Sequence, residues 1–340
     1  MHFSIVKINP PDAPPAHGFD DAIFPLFYAL RRLGYRIEIL LNRVNPASRN
    51  IIFGSCMSPR PTGRMLPPGS IVFNLEQINR ESKWCNANYL THLGDYQVWD
   101  YSPANVSDLR DIGIKATHVP LGYVPEMTRL GSDITPQTDL LFYGLITERR
   151  QQLLDALLKR GIKLLATQEA FGNLRDSLLA GSRLVLNLHN YTPARLEVVR
   201  LGYVWANQRP VLSEREAGTE VPEHLEEACF FAAADELPDM AAKLLKDEHL
   251  LGQQAEKGFR AYSSRPMEED LARIVGRRGF KSGGLASPVE NQSEKAPTTD
   301  KADSVNNKDW QTAQDEAAAR NSRQNSAPPE WLITGDIRVS

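Results

Sequence analysis

Cysteine is scarce: Cys56, Cys85 and Cys229 are the only three in 340 residues. They are too few and too widely spaced for a disulfide framework or a zinc site. Reduced thiols in a cytoplasmic protein are expected instead. Long apolar runs are missing too, with no window of about 18 apolar residues, so no membrane-spanning helix is predicted. The opening MHFSIVKINPPD has no basic stretch leading into a long apolar one, so no signal peptide is expected. A net charge of −3 denies the chain the basic surface that sequence-independent nucleic-acid binding needs. What remains is a hydrophobic fraction of 41%, enough for real cores, and a length that holds two ordinary domains.

The apolar periodicity alternates between strand and helix from the start. Strands are predicted over 3–8, 35–41, 50–53, 71–75, 97–101 and 115–119. Helices are predicted over 20–33, closed by Gly34, over 85–93, and over 103–112 with Ser102 as its cap. Between Gly122 and Gln137 the periodicity lapses and a linker is expected. It then restarts, with strands over 139–143, 162–166, 184–188, 228–232 and one ending on Ser213-Glu214. Helices fall over 147–160, 172–180, 235–246, 250–262 and 267–277, with another between the strands that end at 188 and 214. Two successive βα series predict an α/β protein of two Rossmann-like, doubly wound domains, residues 1–124 and 138–280, facing a cleft. Residues 281–340 are rich in Ser, Asn, Gln, Lys, Glu and Ala, and a disordered tail is expected there.

In such a sheet, polar groups at the carboxyl ends of strands face the ligand crevice. The segment RLVLNLHNYTPARLEVVRLGYVWANQRPVLSE, Arg183 to Glu214, places His189, Asn190, Tyr191, Glu197, Arg200, Ser213 and Glu214 around one crevice, a set that suits a sugar nucleotide. Gly144 ends the preceding strand in FYGLITERR. Arg149 and Arg150 follow in the first helical turn, where the helix dipole disfavours cations and an anion is the natural partner. They are either phosphate ligands or solvated. Gly18, in the loop before the first helix, lets a ligand approach free N–H groups, or is an ordinary glycine turn. Glu76 and Asp100 end two strands of the first series. A carboxylate there accepts a proton from a hydroxyl, holds sugar hydroxyls, or pairs locally.

The runs RLVLNLHNY, RLEVVR, PVLSE and FFAAADELPDMAAKLLKDEHLLGQQAEKGF are similar to the carboxyl-terminal domain of group 1 glycosyltransferases, most of all the bacterial CgeB-like proteins. IVFNLEQ, VWDYSPANV and HVPLGYVP resemble their amino-terminal half, and the resemblance spans about residues 1–275. It implies the GT-B architecture, a nucleotide-sugar donor held by the second domain and an acceptor hydroxyl held by the first. It also implies no cofactor and no metal, in keeping with the lack of any Asp-x-Asp pair. Many group 1 enzymes carry two glutamates eight positions apart, the second shortly before a Pro-Val strand. Here Tyr203 stands seven residues before Pro210 and Glu197 nearly two turns earlier, so the nucleotide-carboxylate role is placed on Glu197. Glu76, Asp100 and His189 are the expected catalytic groups. The donor would be bound by Gly18, Gly144, Arg149, Arg150, Asn190, Tyr191, Glu197, Arg200, Ser213 and Glu214. The expected activity is transfer of a sugar to a glycan, lipid-linked or protein acceptor in glycan or polysaccharide assembly, with no nucleic-acid partner. Peripheral membrane association and a partner for the tail stay open. The rival expectations are a nucleotide-sugar epimerase or phosphorylase of the same fold, and a non-catalytic binding or tethering protein.

Overall fold

A computed structural model describes residues 1–10, 16–57, 66–78, 82, 84–131, 134–168, 170–190 and 194–276. The expected tail, from 281 onward, lies outside the described residues. The first sheet is built from β1 (His2–Lys7), β2 (Arg36–Leu41), β3 (Arg49–Phe53), β4 (Ile71–Asn74), β5 (Gln97–Asp100) and β6 (Ala116–His118). The spatial order is β2-β1-β3-β4-β5-β6 and every pairing is parallel. Its helices are α1 (Asp20–Arg32), α2 (Ala87–Gly94) and α3 (Pro103–Asp111). The second sheet contains β7 (Thr138–Tyr143), β8 (Leu164–Thr167), β9 (Ser182–Asn187), β10 (Val211–Glu214) and β11 (Phe230–Ala232). It runs β11-β10-β9-β7-β8, again all parallel. Its helices are α4 (Glu148–Lys159), α5 (Gly172–Ala180), α6 (Val198–Ala206), α7 (Leu237–Leu244), α8 (Glu248–Ser263) and α9 (Met267–Ile274).

Parallel strands covered on both faces are apolar on both faces, because successive side chains alternate sides. Val6, Ile52, Val72 and Val98 meet Tyr89 and Leu93 of α2 and Leu109 of α3 on one side of the first sheet. Phe53, Phe73 and Trp99 lie out of phase with them and form a ring ladder, Phe53 stacked on Phe73 at 4.9 Å between centroids. In the second sheet Leu140, Phe142, Leu184, Leu186 and Leu212 pack against Leu154 and Leu157 of α4 and Leu251 of α8.

Caps fix the helix ends. Ser102 accepts from the Asn105 amide, and Thr147 accepts from the Arg150 amide, as the sequence predicts. α2 starts at Ala87 rather than 85, because the Asn86 side chain accepts from the Tyr89 amide and sets the first turn there. α8 starts earlier than predicted, at Glu248, because Asp247 accepts from the Leu250 amide.

The stretch between the two sheets is a tethered strap rather than a loose linker. Asn207 at the end of α6 takes the Arg129 and Leu130 amides on its Oδ1, at 2.7 and 2.9 Å, and donates to the Met127 carbonyl. Tyr123 pairs with the segment before α9: its amide donates to the Arg265 carbonyl and its carbonyl accepts from the Met267 amide. A Cβ at Gly122 would stand 2.6 Å from the Arg265 oxygen, so the close crossing requires glycine. From there α9 packs on α1, so the last helix of the second series returns to the first.

Candidate functional site

Each sheet has a point where its strand order reverses, and the crevice outside the carboxyl ends opens there. In the second sheet this point lies between β7 and β9, since the chain winds one way through β8 and the other through β10 and β11. The residues at that point are Tyr143-Gly144 at the end of β7 and Asn187 to Asn190 at the end of β9.

Asn187, the last residue of β9, is fully buried and organises the crevice. Its Nδ2 donates to Glu197 Oε2 at 2.7 Å and to Ser213 Oγ at 3.0 Å. Its Oδ1 accepts from the Arg200 guanidinium, whose Nη1 donates to the Tyr143 carbonyl at 2.8 Å. Gly144 makes that seat: at φ +141°, a Cβ there would lie 2.7 Å from Arg200 Nη1. Asn187 lies inside Leu184–Leu188, a run whose apolar character predicts an ordinary buried strand. A single amide inside such a run is the signal that marks it.

His189 is 3% exposed. Its Nδ1 lies 3.2 Å from Glu197 Oε2, its amide donates to Glu214 Oε2 at 2.9 Å, and its Nε2 has no partner among the described residues. Burial favours the neutral ring, but the Glu197 and Glu214 carboxylates outweigh it and raise its pKa. Burial likewise works against the Glu197 charge, yet His189, Arg200 and Asn187 hold its pKa below the ordinary value. Glu197 stands at the amino terminus of α6. Eight positions separate it from His189, whose Nδ1 it touches.

The two arginines of α4 differ. Arg149 is half-exposed and forks onto the fully buried Glu214, with Nη1 3.1 Å from Oε2. Arg150 is buried and donates to the carbonyls of Leu145, Leu188 and His189, at 2.8, 2.6 and 3.3 Å. Burial and the neighbouring Arg200 lower its pKa to about 10. The reading of both arginines as either phosphate-bound or solvated therefore gives way: Arg150 is a brace beneath the crevice, and only Arg149 reaches its surface. Ser213 and Glu214 lie beneath it as well, at 0% exposure. Asn190 Oδ1 and the Tyr143 hydroxyl are buried without partners among the described residues. Tyr191 lies outside them.

At the first sheet, Asp100 is fully buried and accepts from Asn74 Nδ2 at 2.6 Å, from Asn105 Nδ2 at 3.1 Å and from the Ser102 amide at 2.8 Å. Burial raises its pKa to about 7, against the pull of those donors. Asp100 thus supports the loop after β4, where Asn105 also binds the Glu76 carbonyl and the Ile78 amide, and no edge of it faces an acceptor. Glu76 stays half-buried beside the Cys56 thiol, 3.5 Å away, and burial raises its pKa. Gly18 is exposed, its Cβ would meet nothing, and Asp20 and Asp21 fill the first turn of α1 with negative charge.

The carboxyl ends of the two sheets face each other. Asp21 of α1 pairs with the buried Arg175 of α5, and Asp108 of α3 pairs with Arg195, which follows β9, at 2.6 Å. Burial pushes the pKa of the Tyr101 hydroxyl up, and the Asp100, Glu197 and Glu76 carboxylates add to that.

No family model matches the sequence, and no curated protein matches it. Solved structures do match in fold. HepE of Anabaena, determined with UDP and glucose, overlays at a TM-score of 0.55 and 11% identity, over 80% of this chain and 99% of that one. WaaG, a glycosyltransferase involved in lipopolysaccharide biosynthesis, overlays at 0.53 and 12%, over 83% and 100%. Sucrose-phosphate synthase of Thermosynechococcus elongatus overlays at 0.52 and 9%, over 81% and 98%. The chain spans 55% of the length of TarM, at 0.49 and 10%. The fold is therefore GT-B: two parallel α/β sheets whose carboxyl ends share a cleft.

Proposed function

We propose that the protein is a glycosyltransferase that moves a sugar from a nucleotide donor to an acceptor hydroxyl in glycan or polysaccharide assembly, without a resident metal. One observation carries this reading. Three buried polar atoms without partners among the described residues, His189 Nε2, Asn190 Oδ1 and the Tyr143 hydroxyl, belong to residues at or just past the carboxyl ends of β7 and β9. Buried polar atoms left unpaired are costly, so a polar ligand is the expected occupant. A sugar nucleotide as that ligand is supported by the fold shared with HepE, solved with UDP and glucose and with UDP-glucose.

In this reading the open edge of Glu197 takes a ribose hydroxyl, while Arg149 and Arg200 face the diphosphate. Fixed donors aimed at the charge that grows on the leaving diphosphate lower the barrier without reorganisation. Glu76, on the opposite wall, has the raised pKa of a carboxylate suited to accepting the acceptor's proton. Closure of the cleft excludes the water that would hydrolyse the donor.

The test is turnover of sugar nucleotides by the full chain and by a chain ending at residue 285. Slow release of nucleoside diphosphate is expected from both, accelerated by an acceptor. Glu76→Gln should lower the accelerated rate by roughly 10²-fold or more while leaving donor binding intact. Conversion of the sugar without nucleotide release, or a requirement for inorganic phosphate, would replace transfer with epimerisation or phosphorolysis. Donor binding with no turnover by either chain would favour a non-catalytic binding or tethering role.

A further inference from the structure

His189 sits two residues past β9, with its ring fixed between neighbours rather than free to turn. Glu197, at the start of α6, receives Nδ1 at 3.2 and 3.3 Å on its two oxygens. Glu214, at the end of β10, receives the His189 amide. From α4, Arg149 Nη1 and Arg150 Nε both donate to the His189 carbonyl, at 3.4 and 3.3 Å. Arg200 of α6 acts on both Glu197 and Arg150.

A carboxylate can only accept, so the contact with Glu197 keeps the ring proton on Nδ1. The neutral ring then presents a lone pair at Nε2, which repels an anion. Only the imidazolium presents an N–H there. Nε2 is shielded from solvent and unpartnered among the described residues, so in the charged ring that N–H has no water to satisfy it. A phosphate oxygen is the partner such a buried cationic donor calls for.

We propose that His189 and Glu197 form a proton-gated receptor for the donor diphosphate: Glu197 fixes the ring, and protonated His189 donates Nε2–H to a phosphate oxygen. The proposal rests on the nucleotide-sugar reading above and adds to it a role for the proton. Toward the imidazole Glu197 acts as a positioning residue, beside its contact with the ribose, and His189 is the group that donates to the phosphate. Imidazole is the side chain that ordinarily titrates near neutral pH, so the gate is placed on His189.

The experiment is calorimetric titration of the full chain with UDP-glucose from about pH 6 to 9, in buffers of differing ionisation heat. ADP-, GDP- and dTDP-glucose are titrated in parallel. A sugar nucleotide is the right probe because its diphosphate is esterified at both ends and keeps its charge over this range, unlike free UDP. In the wild type, affinity should fall as pH rises through the His189 midpoint, approaching tenfold per pH unit, with uptake of about one proton per ligand bound above it. His189→Gln should bind more weakly, with no slope and no proton uptake. Glu197→Gln, whose amide leaves the ring without its counter-charge, should shift the midpoint to lower pH. Binding by the wild type with a flat pH profile and no proton uptake would overturn the gate and leave the nucleotide-sugar reading standing. So would a His189→Gln protein that keeps the wild-type slope. If His189→Gln does not fold, the Glu197→Gln midpoint decides alone, and an unmoved midpoint overturns the gate. Failure of all four nucleotides to bind at every pH would overturn both readings.

Discussion

Gly144 shows how one residue without a side chain sets the positions of several others. Its positive φ and missing Cβ admit the Arg200 guanidinium, which in turn holds Asn187, and Asn187 holds Glu197 and Ser213. Gly144→Ala should therefore cost about 1–3 kcal/mol of stability, the range for a strained backbone position, and weaken donor binding together with it. Urea unfolding with and without ligand measures both; an unchanged midpoint and affinity would mean that Arg200 seats itself without the glycine. At this scale the sequence was partly legible. His189, Glu197, Arg200 and Glu214 announce themselves as polar groups beside an apolar strand. Asn187 does not, because it hides inside that strand. Asp100 misleads in the other direction: a carboxylate at a strand end looks like an active group until its four acceptor contacts are seen.

Helices α6 and α8 meet through glycines. A Cβ at Gly258 would lie 2.7 Å from Trp205 Cδ1 and 3.1 Å from the Ala228 oxygen, and one at Gly202 would lie 2.6 Å from the Tyr262 hydroxyl. That hydroxyl donates to the Gly122 carbonyl, so the packing of α6 on α8 also anchors the strap between the sheets. Gly258 lies within α8, where alanine gains about 1 kcal/mol over glycine, and the clash with Trp205 and the Ala228 oxygen outweighs that gain. Gly258→Ala should destabilise by about 1–3 kcal/mol with donor affinity per folded molecule unchanged. Chemical denaturation beside ligand titration checks this, and a stabilised variant would show that the contact is looser than described. Periodicity predicted both helices because it reports that a face is buried. It could not say against what, and so neither the glycine contact nor the return of α9 to α1 was foreseeable. Helix ends were legible wherever a side chain caps, as at Ser102 and Thr147, and slipped by a residue or two where the capping residue went unread, as at Asn86 and Asp247.

At the scale of the molecule, two sheets of six and five parallel strands are joined by a strap and tied across the cleft by Asp21–Arg175 and Asp108–Arg195. The βα alternation made this two-sheet plan readable in advance, since parallel strands demand helical crossovers. The ion pairs across the cleft were not readable, because their partners lie 154 and 87 residues apart. Among the described residues no helix is long and apolar enough to cross a membrane. The central claim is that the crevice between β7 and β9 binds the diphosphate of a sugar nucleotide. Its most direct test is the thermal midpoint of the full chain with saturating UDP-, ADP-, GDP- and dTDP-sugars, compared with Arg200→Ala. Ligand at about 100 times its Kd stabilises by about 2.7 kcal/mol, so one donor should raise the wild-type midpoint by a few degrees and leave the variant nearly unmoved. A wild-type midpoint that none of the four donors shifts would contradict the account.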